Sequence, residues 1–342
     1  MSNENNEGFK IKSLHIEDYK MFKDFDIDFV DKDDNPLPIV VLAGVNGSGK
    51  TTLLEYLTDL PIEKNEYKIE YILDAGTFDG LSRLNCKEFH QNIIYFSAGI
   101  DETVKVESEF VKSFYHFLKN RDFRPSEVKS HFHEYMTDIF VDIDLTFKYT
   151  HLDKDDNVWF MNSNGKEFMI DALSTGEKTL ISKVLYLYFQ DYKNKVILID
   201  EPELSLHPSW QNRVLKIYEN FAKANNCQVI IATHSPHIIG SAKSESLRIL
   251  KKVDEKIEAF KYSQSYGFEF DKILTDIMGV ENLRTPEIAE DIKRLWELLK
   301  KEAYQSKEYQ ELYQKLEKLL GDLDQDLLLA RLEVAKIKSR NA

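Results

Sequence analysis

The chain has 342 residues, 42% hydrophobic and 30% charged, with a net charge of −14. That length can bury one large core or two modest ones, and the acidic balance excludes a general nucleic-acid coat, whose phosphate contacts need clustered Lys and Arg. Cys86 and Cys227 give neither a disulfide framework nor metal spacing, no run reaches the roughly 18 apolar residues that span a bilayer, and the polar start MSNENNEGFK has no apolar segment of a signal peptide, so a cytoplasmic chain without a membrane segment is expected.

The first forty residues alternate in FKIKSLHIEDY and FKDFDIDFV, which predicts antiparallel strands with one apolar face. PIVVLAG is continuously apolar, as a buried central strand is, and a helix is expected from Thr51 to about Leu60. NIIYFSA is a further short buried strand. Residues 101–140 read as a helical insertion rich in Phe, Tyr and His. Its KNRDFRPSEVK stretch, with Lys119, Arg121, Arg124 and Lys129, is the densest basic run; it suits either a nucleic-acid contact or a solvated helix end. The HFH at His131 suits packing or solvent better than a metal, because no Cys or fixed partner spacing accompanies it. VDIDLTFKYT, NVWFMN and KEFMID are three strands parted by turns.

From Lys178 the order is helix, strand KVILIDE, helix from His207, strand CQVIIATHS. Such alternation predicts crossovers and a parallel sheet, hence an α/β fold with antiparallel strands added. SLRILKK and IEAFKYS are expected at its edge. Beyond Asp271, EIAEDIKRLWELLK, KEYQELYQKLEKLL and DQDLLLARLEVAKIK read as three amphipathic helices. The expected organisation is a nucleotide-binding domain over 1–265 and a helical region for assembly or partner binding over 266–342.

Four motifs carry chemistry. GVNGSGKT, Gly44 to Thr51, fits the phosphate-loop pattern G-x-x-x-x-G-K-[ST] between an apolar strand and a helix. Its glycines let backbone N–H groups wrap phosphates, and the helix N-terminus adds partial positive charge. Gly44, Asn46, Gly47, Ser48, Gly49, Lys50, Thr51 and Thr52 are the candidate ATP ligands, with Lys50 on the β and γ phosphates and Thr51 on Mg2+. VILIDE delivers Asp200 and Glu201 to a strand's carboxyl end: Asp200 suits Mg2+, and Glu201 suits the general base toward water. IIATHS places His234 at the same edge, within reach of the γ-phosphate or the water. LSTGEK opens a helix on Ser174, a natural N-cap, with Gly176 allowing close anion approach and Glu177 following. One nucleotide does not easily meet both helix ends within one subunit, so Ser174 and Gly176 suit the phosphate held by Lys50 of a second, head-to-tail copy.

In this order, GVNGSGKT, LSTGEK, VILIDEPELSLHP and IIATHSP resemble an ABC-type ATPase head of the RecF/OLD/SMC-like branch, over residues 10–250. The resemblance implies a P-loop NTPase fold and ATP hydrolysis with Mg2+. It also implies a homodimer or higher oligomer clamping two ATP, with ELSLHP (Glu203 to Pro208) as the D-loop along the dimer interface and His234 as the switch histidine. Two departures stand out. The family's Q-loop glutamine is replaced by Ser97-Ala98-Gly99, with Gln91 lying before the strand, and the adenine-stacking ring is open among Tyr19, Phe22 and Phe25. Only about 120 residues separate Thr51 from Ser174, a compact lobe in place of a long coiled coil.

YGFEFDKILTDIMGVENLR and the charged helices after it resemble the C-terminal region of Septu-like and retron-associated defence ATPases. The acidic constellation of a metal-dependent nuclease domain, found in OLD nucleases, has no counterpart after Ser235. The implied role is therefore a motor and sensor for a separate nuclease or toxin in anti-phage defence or DNA repair. The alternatives are an ABC-transporter subunit, disfavoured by LHP, by Glu177 and by the missing Q-loop glutamine, and a scaffold that holds ATP with little turnover.

Overall fold

The structure, a computed structural model, describes residues 8–59, 67–73, 76–79, 86–98, 125–141, 147–262 except 191, 270–280 and 282–340, with single positions in 108–115 and at 145 and 267. Two units are present, Met1–Met278 and Gly279–Ala342.

In the first unit the alternating N-terminal residues form strands β1 (Lys10–Tyr19) and β2 (Phe22–Asp28), paired antiparallel. Two strands not expected from the sequence, β4 (Tyr67–Leu73) and β5 (Gly76–Asp79), complete a four-stranded sheet in the order β2-β1-β4-β5. The continuous apolar runs become the centre of a six-stranded sheet: β3 (Ile39–Ala43), β6 (Ile93–Phe96), β10 (Val196–Asp200) and β11 (Gln228–Thr233). Strands β12 (Leu247–Val253) and β13 (Lys256–Lys261) close one edge, and β13 alone runs antiparallel. A separate meander holds β7 (Phe147–Leu152), β8 (Val158–Asn162) and β9 (Glu167–Met169).

Every residue of β3, β10 and β11 is buried, because both faces of the sheet are covered. Val40, Leu42, Val196, Leu198, Ile230 and Ala232 face a core shared with the four-stranded sheet and helix α1 (Lys50–Thr58). Their neighbours Val41, Ile197, Ile199, Val229 and Ile231 face the other core. That core receives helix α3 (Pro125–Ile139), α4 (Thr175–Phe189), α5 (Pro208–Ala224) and α6 (Pro236–Ser241), while α2 (Cys86–Gln91) precedes β6. Of the helical insertion, α3 is described and 101–107 and 116–124 lie outside the described residues, with Lys119, Arg121 and Arg124 among them. His131 meets Glu134 one helical turn on, at 3.4 Å, and no metal partner reaches it among the described residues.

The unit boundary falls at Met278/Gly279, past the 265/266 expected from sequence. Ile273 and Ile277, on a wide helical turn at Ile273–Ile277, are buried in the first unit's core, so the start of the charged tail packs there. The second unit holds α7 (Pro286–Lys300), α8 (Lys307–Leu320) and α9 (Gln325–Arg340) around Leu295, Leu299, Leu316, Leu327 and Ala330. Pro286 starts α7, the Ser306 hydroxyl caps α8, and Gly321 at φ 87° ends it. α9 departs from the expected amphipathic pattern: Leu327 and Ala330 are buried, while Leu328, Leu329 and Leu332 are exposed. Among the described residues no helix is long and apolar enough to cross a membrane.

Candidate functional site

Strands β3, β10 and β11 are parallel neighbours in register, with Asp200 beside Ala232 and Thr233 beside Ala43. Their carboxyl ends therefore open on one edge, and the loops leaving those ends are brought together. After β3 comes the 44–49 loop. Gly44 (φ 153°), Gly47 (φ 79°) and Gly49 (φ 92°) take backbone angles that L side chains avoid. A Cβ on Gly44 would lie 2.5 Å from the Leu250 carbonyl oxygen, and one on Gly49 would lie 2.9 Å from Phe22. The loop crest, Val45, Asn46 and Gly47, is exposed, whereas Ser48, Gly49 and Lys50 are buried. Lys50 Nζ donates to the carbonyls of Gly44 (2.8 Å) and Val45 (3.2 Å), so its charge is held at the mouth of the loop. Thr52, next on α1, is half-buried.

The Thr51 hydroxyl donates to Asp200 Oδ2 at 2.9 Å, joining residues 149 positions apart. The other Asp200 oxygen, Oδ1, is buried with no partner among the described residues. Burial pushes the Asp200 carboxyl up; the Thr51 hydrogen bond and Lys50 oppose this, and Glu201 and Glu203 reinforce it. Burial lowers Lys50, against the pull of Glu201, Asp200 and Glu203. Three carboxylates thus act on one lysine, and two buried carboxylate oxygens, Asp200 Oδ1 and Glu203 Oε2, lack a donor among the described residues. A hydroxyl beside a carboxylate in an anion-rich site is an oxygen donor set that suits a divalent cation such as Mg2+; Thr51 and Asp200 are the residues that would hold it.

Glu201 follows β10 at φ +47°, a strained angle for a residue with a side chain, and its N–H donates to Ala232 O at 2.8 Å. His234 Nδ1 lies 3.0 Å from Glu201 Oε1, close by distance but without hydrogen-bond geometry. Glu203, expected from sequence only as part of the loop, reaches the same turn. Its Oε1 accepts from the Thr233 hydroxyl (2.6 Å) and from the His234 and Ser235 amides (both 3.1 Å). The signal for it was a third acid two positions beyond Glu201, in DEPE.

The Ser174 turn is built differently. The Ser174 hydroxyl accepts from the Glu177 amide at 3.3 Å, and the Glu177 carboxylate accepts from the Ser174 amide and hydroxyl, both at 2.7 Å. This is a capping box that satisfies the start of α4 from within. Gly176 is needed by the same chain: a Cβ there would lie 2.6 Å from the carbonyl oxygen of Ser205, itself at φ +67°. Thr51 is thus bonded to Asp200 and His234 stands beside Glu201 at the same edge, while Ser174 and Glu177 bond to each other and Gly176 packs on the 203–208 loop.

Among the candidate rings, Phe22 and Phe25 are core residues. Tyr19 is partly exposed, with Tyr56 at 4.5 Å between ring centroids and the Lys20 ammonium over its face at 5.2 Å. Ser97, at the place of the missing glutamine, lines a pocket with Phe96, Lys183, Ile199 and Asp200.

Two family descriptions match the sequence: an AAA ATPase domain over residues 9–124, and an AAA domain described as putative AbiEii toxin, type IV TA system, over 104–240. The Septu protein PtuA of Bacillus thuringiensis is 28% identical over 220 residues, 58% of this chain and 54% of that protein. The Retron Vc95 probable ATPase of Vibrio cholerae is 34% identical over 128 residues, 34% of this chain and 24% of that protein. The matched part of this chain therefore spans about half of the first relative's length and a quarter of the second's. An SMC head domain from Thermotoga maritima aligns with a TM-score of 0.48 at 14% identity, covering 75% of this chain and 100% of the other.

Proposed function

We propose that this chain, which matches AAA ATPase domain descriptions over residues 9–124 and 104–240, is an ATP-hydrolysing switch of the RecF/OLD/SMC-like branch. Two copies, or a higher oligomer, would close around two ATP molecules and control a separate effector, a nuclease or toxin, in anti-phage defence or DNA repair. The observation that carries the reading is the convergence of Thr51, Asp200, Glu201 and His234 on one sheet edge beside Lys50.

The chemistry derives from the positions. The loop amides of 44–49 face the phosphates, and Lys50 exchanges its two carbonyl acceptors for phosphate oxygens. Mg2+, if held by Thr51 and Asp200, would supply neutralisation of the charge that builds on the phosphate oxygens. Glu201 takes a proton from the attacking water, whose oxygen bonds to the γ-phosphorus as the bond to the β-phosphate oxygen breaks. His234 stands beside Glu201, where it can orient that water or donate to the γ-phosphate. Ser174 reaches a neighbour's phosphate only when Glu177 gives up its hydroxyl, so the capping box is a state that closure must open.

Steady-state phosphate release with ATP and Mg2+ tests the reading. Glu201→Gln is expected to keep nucleotide binding and to lose turnover by about 100-fold or more, the scale of general-base catalysis. Equal turnover in both proteins would sink the hydrolytic reading and favour the scaffold. With ATP and Mg2+, Glu201→Gln is expected to sediment as a closed dimer or larger. Mixing Ser174→Arg with Lys50→Ala is expected to restore one working site per pair; additive, unrescued losses would rule out shared sites. Purification of tagged Glu201→Gln from its host, with mass spectrometry of the proteins it holds, separates a nuclease or toxin partner from a membrane permease.

A further inference from the structure

We infer that Glu203 positions His234 for the reaction, acting through the turn that carries it. This rests on the ATPase reading and assigns a role to a carboxylate outside the phosphate, metal and base positions.

The turn after β11 comprises Thr233, His234 and Ser235. One oxygen of Glu203 takes a hydrogen from each: the Thr233 hydroxyl at 2.6 Å and the two following amides at 3.1 Å. The same oxygen lies 3.8 Å from His234 Nδ1. Among the described residues Nδ1 has no hydrogen-bond partner, so the imidazole's place depends on the turn that carries it. Ser235 is fastened from the other side: its hydroxyl donates to Gln211 Oε1 at 2.7 Å, and Gln211 Nε2 donates to Leu206 O at 2.9 Å. Glu203 and Gln211 thus tie the 203–206 loop to the histidine turn at two points.

Stability alone does not call for a carboxylate here. Glu203 is 5% exposed, and its second oxygen is buried with no partner among the described residues. A buried anion is costly even when hydrogen-bonded, and an unmet oxygen adds to the cost. The charge supplies direction: charge-assisted hydrogen bonds are shorter and about twice as strong as neutral ones, and three converging on one atom fix the turn's orientation. The consequence is an imidazole held 3.0 Å from Glu201, across a strand end that is itself strained at φ +47°.

A double-mutant cycle tests this: wild type, Glu203→Gln, His234→Ala and the double variant, each read for kcat, for KM toward ATP and for affinity for a fluorescent ATP analogue. If Glu203 acts through His234, Glu203→Gln lowers kcat by about tenfold or more with KM and nucleotide affinity within about twofold, and the double variant is no slower than His234→Ala. Losses that multiply, or an unchanged kcat in Glu203→Gln, overturn the inference. Should Glu203→Gln fail to melt cooperatively, Thr233→Val removes the 2.6 Å donor and is read through the same cycle. A wild type without Glu201-dependent turnover overturns the ATPase reading and this role with it, whereas Glu201-dependent turnover with multiplying losses overturns this role alone.

Discussion

Ser174 shows how one residue can carry two readings. Its place at the head of a helix suits an anion, yet its hydroxyl and amide are both engaged with Glu177. Replacing Ser174 with Ala is expected to lower stability by about 1 kcal/mol, the worth of an N-cap, in urea unfolding without nucleotide. No change would mean that the box contributes nothing to the fold. Lys10 offers a pH test. Burial pulls its ammonium down to about 8, with Cys227 opposing, while Nζ donates to Asn226 O at 2.6 Å. The folded state disfavours the charged form, so the penalty is full below about pH 8 and is relieved as pH rises toward the unfolded value near 10.5. Stability is expected to climb by about 2 kcal/mol over that window, and Lys10→Met is expected to flatten the climb. An equal slope in both proteins would place the titration elsewhere.

Helix α9 separates burial from mere hydrophobicity. Leu327 and Leu332 are both leucines of one helix, but Leu327 is 0% exposed and Leu332 is 59% exposed. Leu327→Ala is expected to cost about 2–5 kcal/mol, and Leu332→Glu within about 0.5 kcal/mol, in the second unit's unfolding. Similar costs at both sites would mean that the outer leucine face is covered in solution. In the six-stranded sheet hydrophobicity and burial coincide. The apolar runs of β3, β10 and β11 were readable as buried strands, because burial on both faces removes polar residues from the sequence itself. β4 was not readable: YKIEYIL is a strand because β1 and β5 pair with it, and its pairing with β1 is long-range.

At the scale of the molecule, two units with separate cores are expected to behave as two folding bodies. A chain ended at Met278 is expected to retain its cooperative transition and its nucleotide affinity, measured by calorimetry and by fluorescent-nucleotide titration. Loss of both would show that the nucleotide site depends on 279–342. Charge divides along the same line: 279–342 holds 13 acids and 12 bases, so nearly all of the −14 belongs to the first unit. Added Mg2+ is therefore expected to steady the first unit more than the second.

The glycine-rich 44–51 loop, the acids ending β10 and the histidine after β11 were legible in the residues alone, because each is a short local pattern whose backbone geometry its own glycines and apolar strand dictate. The sequence also carried the α/β order, since helix and strand periods alternate along the chain. The Thr51–Asp200 bond, the grip of Glu203 on the Thr233–Ser235 turn and the close approach of Ser205 to Gly176 emerge only in the folded chain. Those contacts join residues 29 to 149 positions apart in the chain. Local propensity carries no term for such separations; the register of parallel strands sets them, and that register exists only once the sheet has formed.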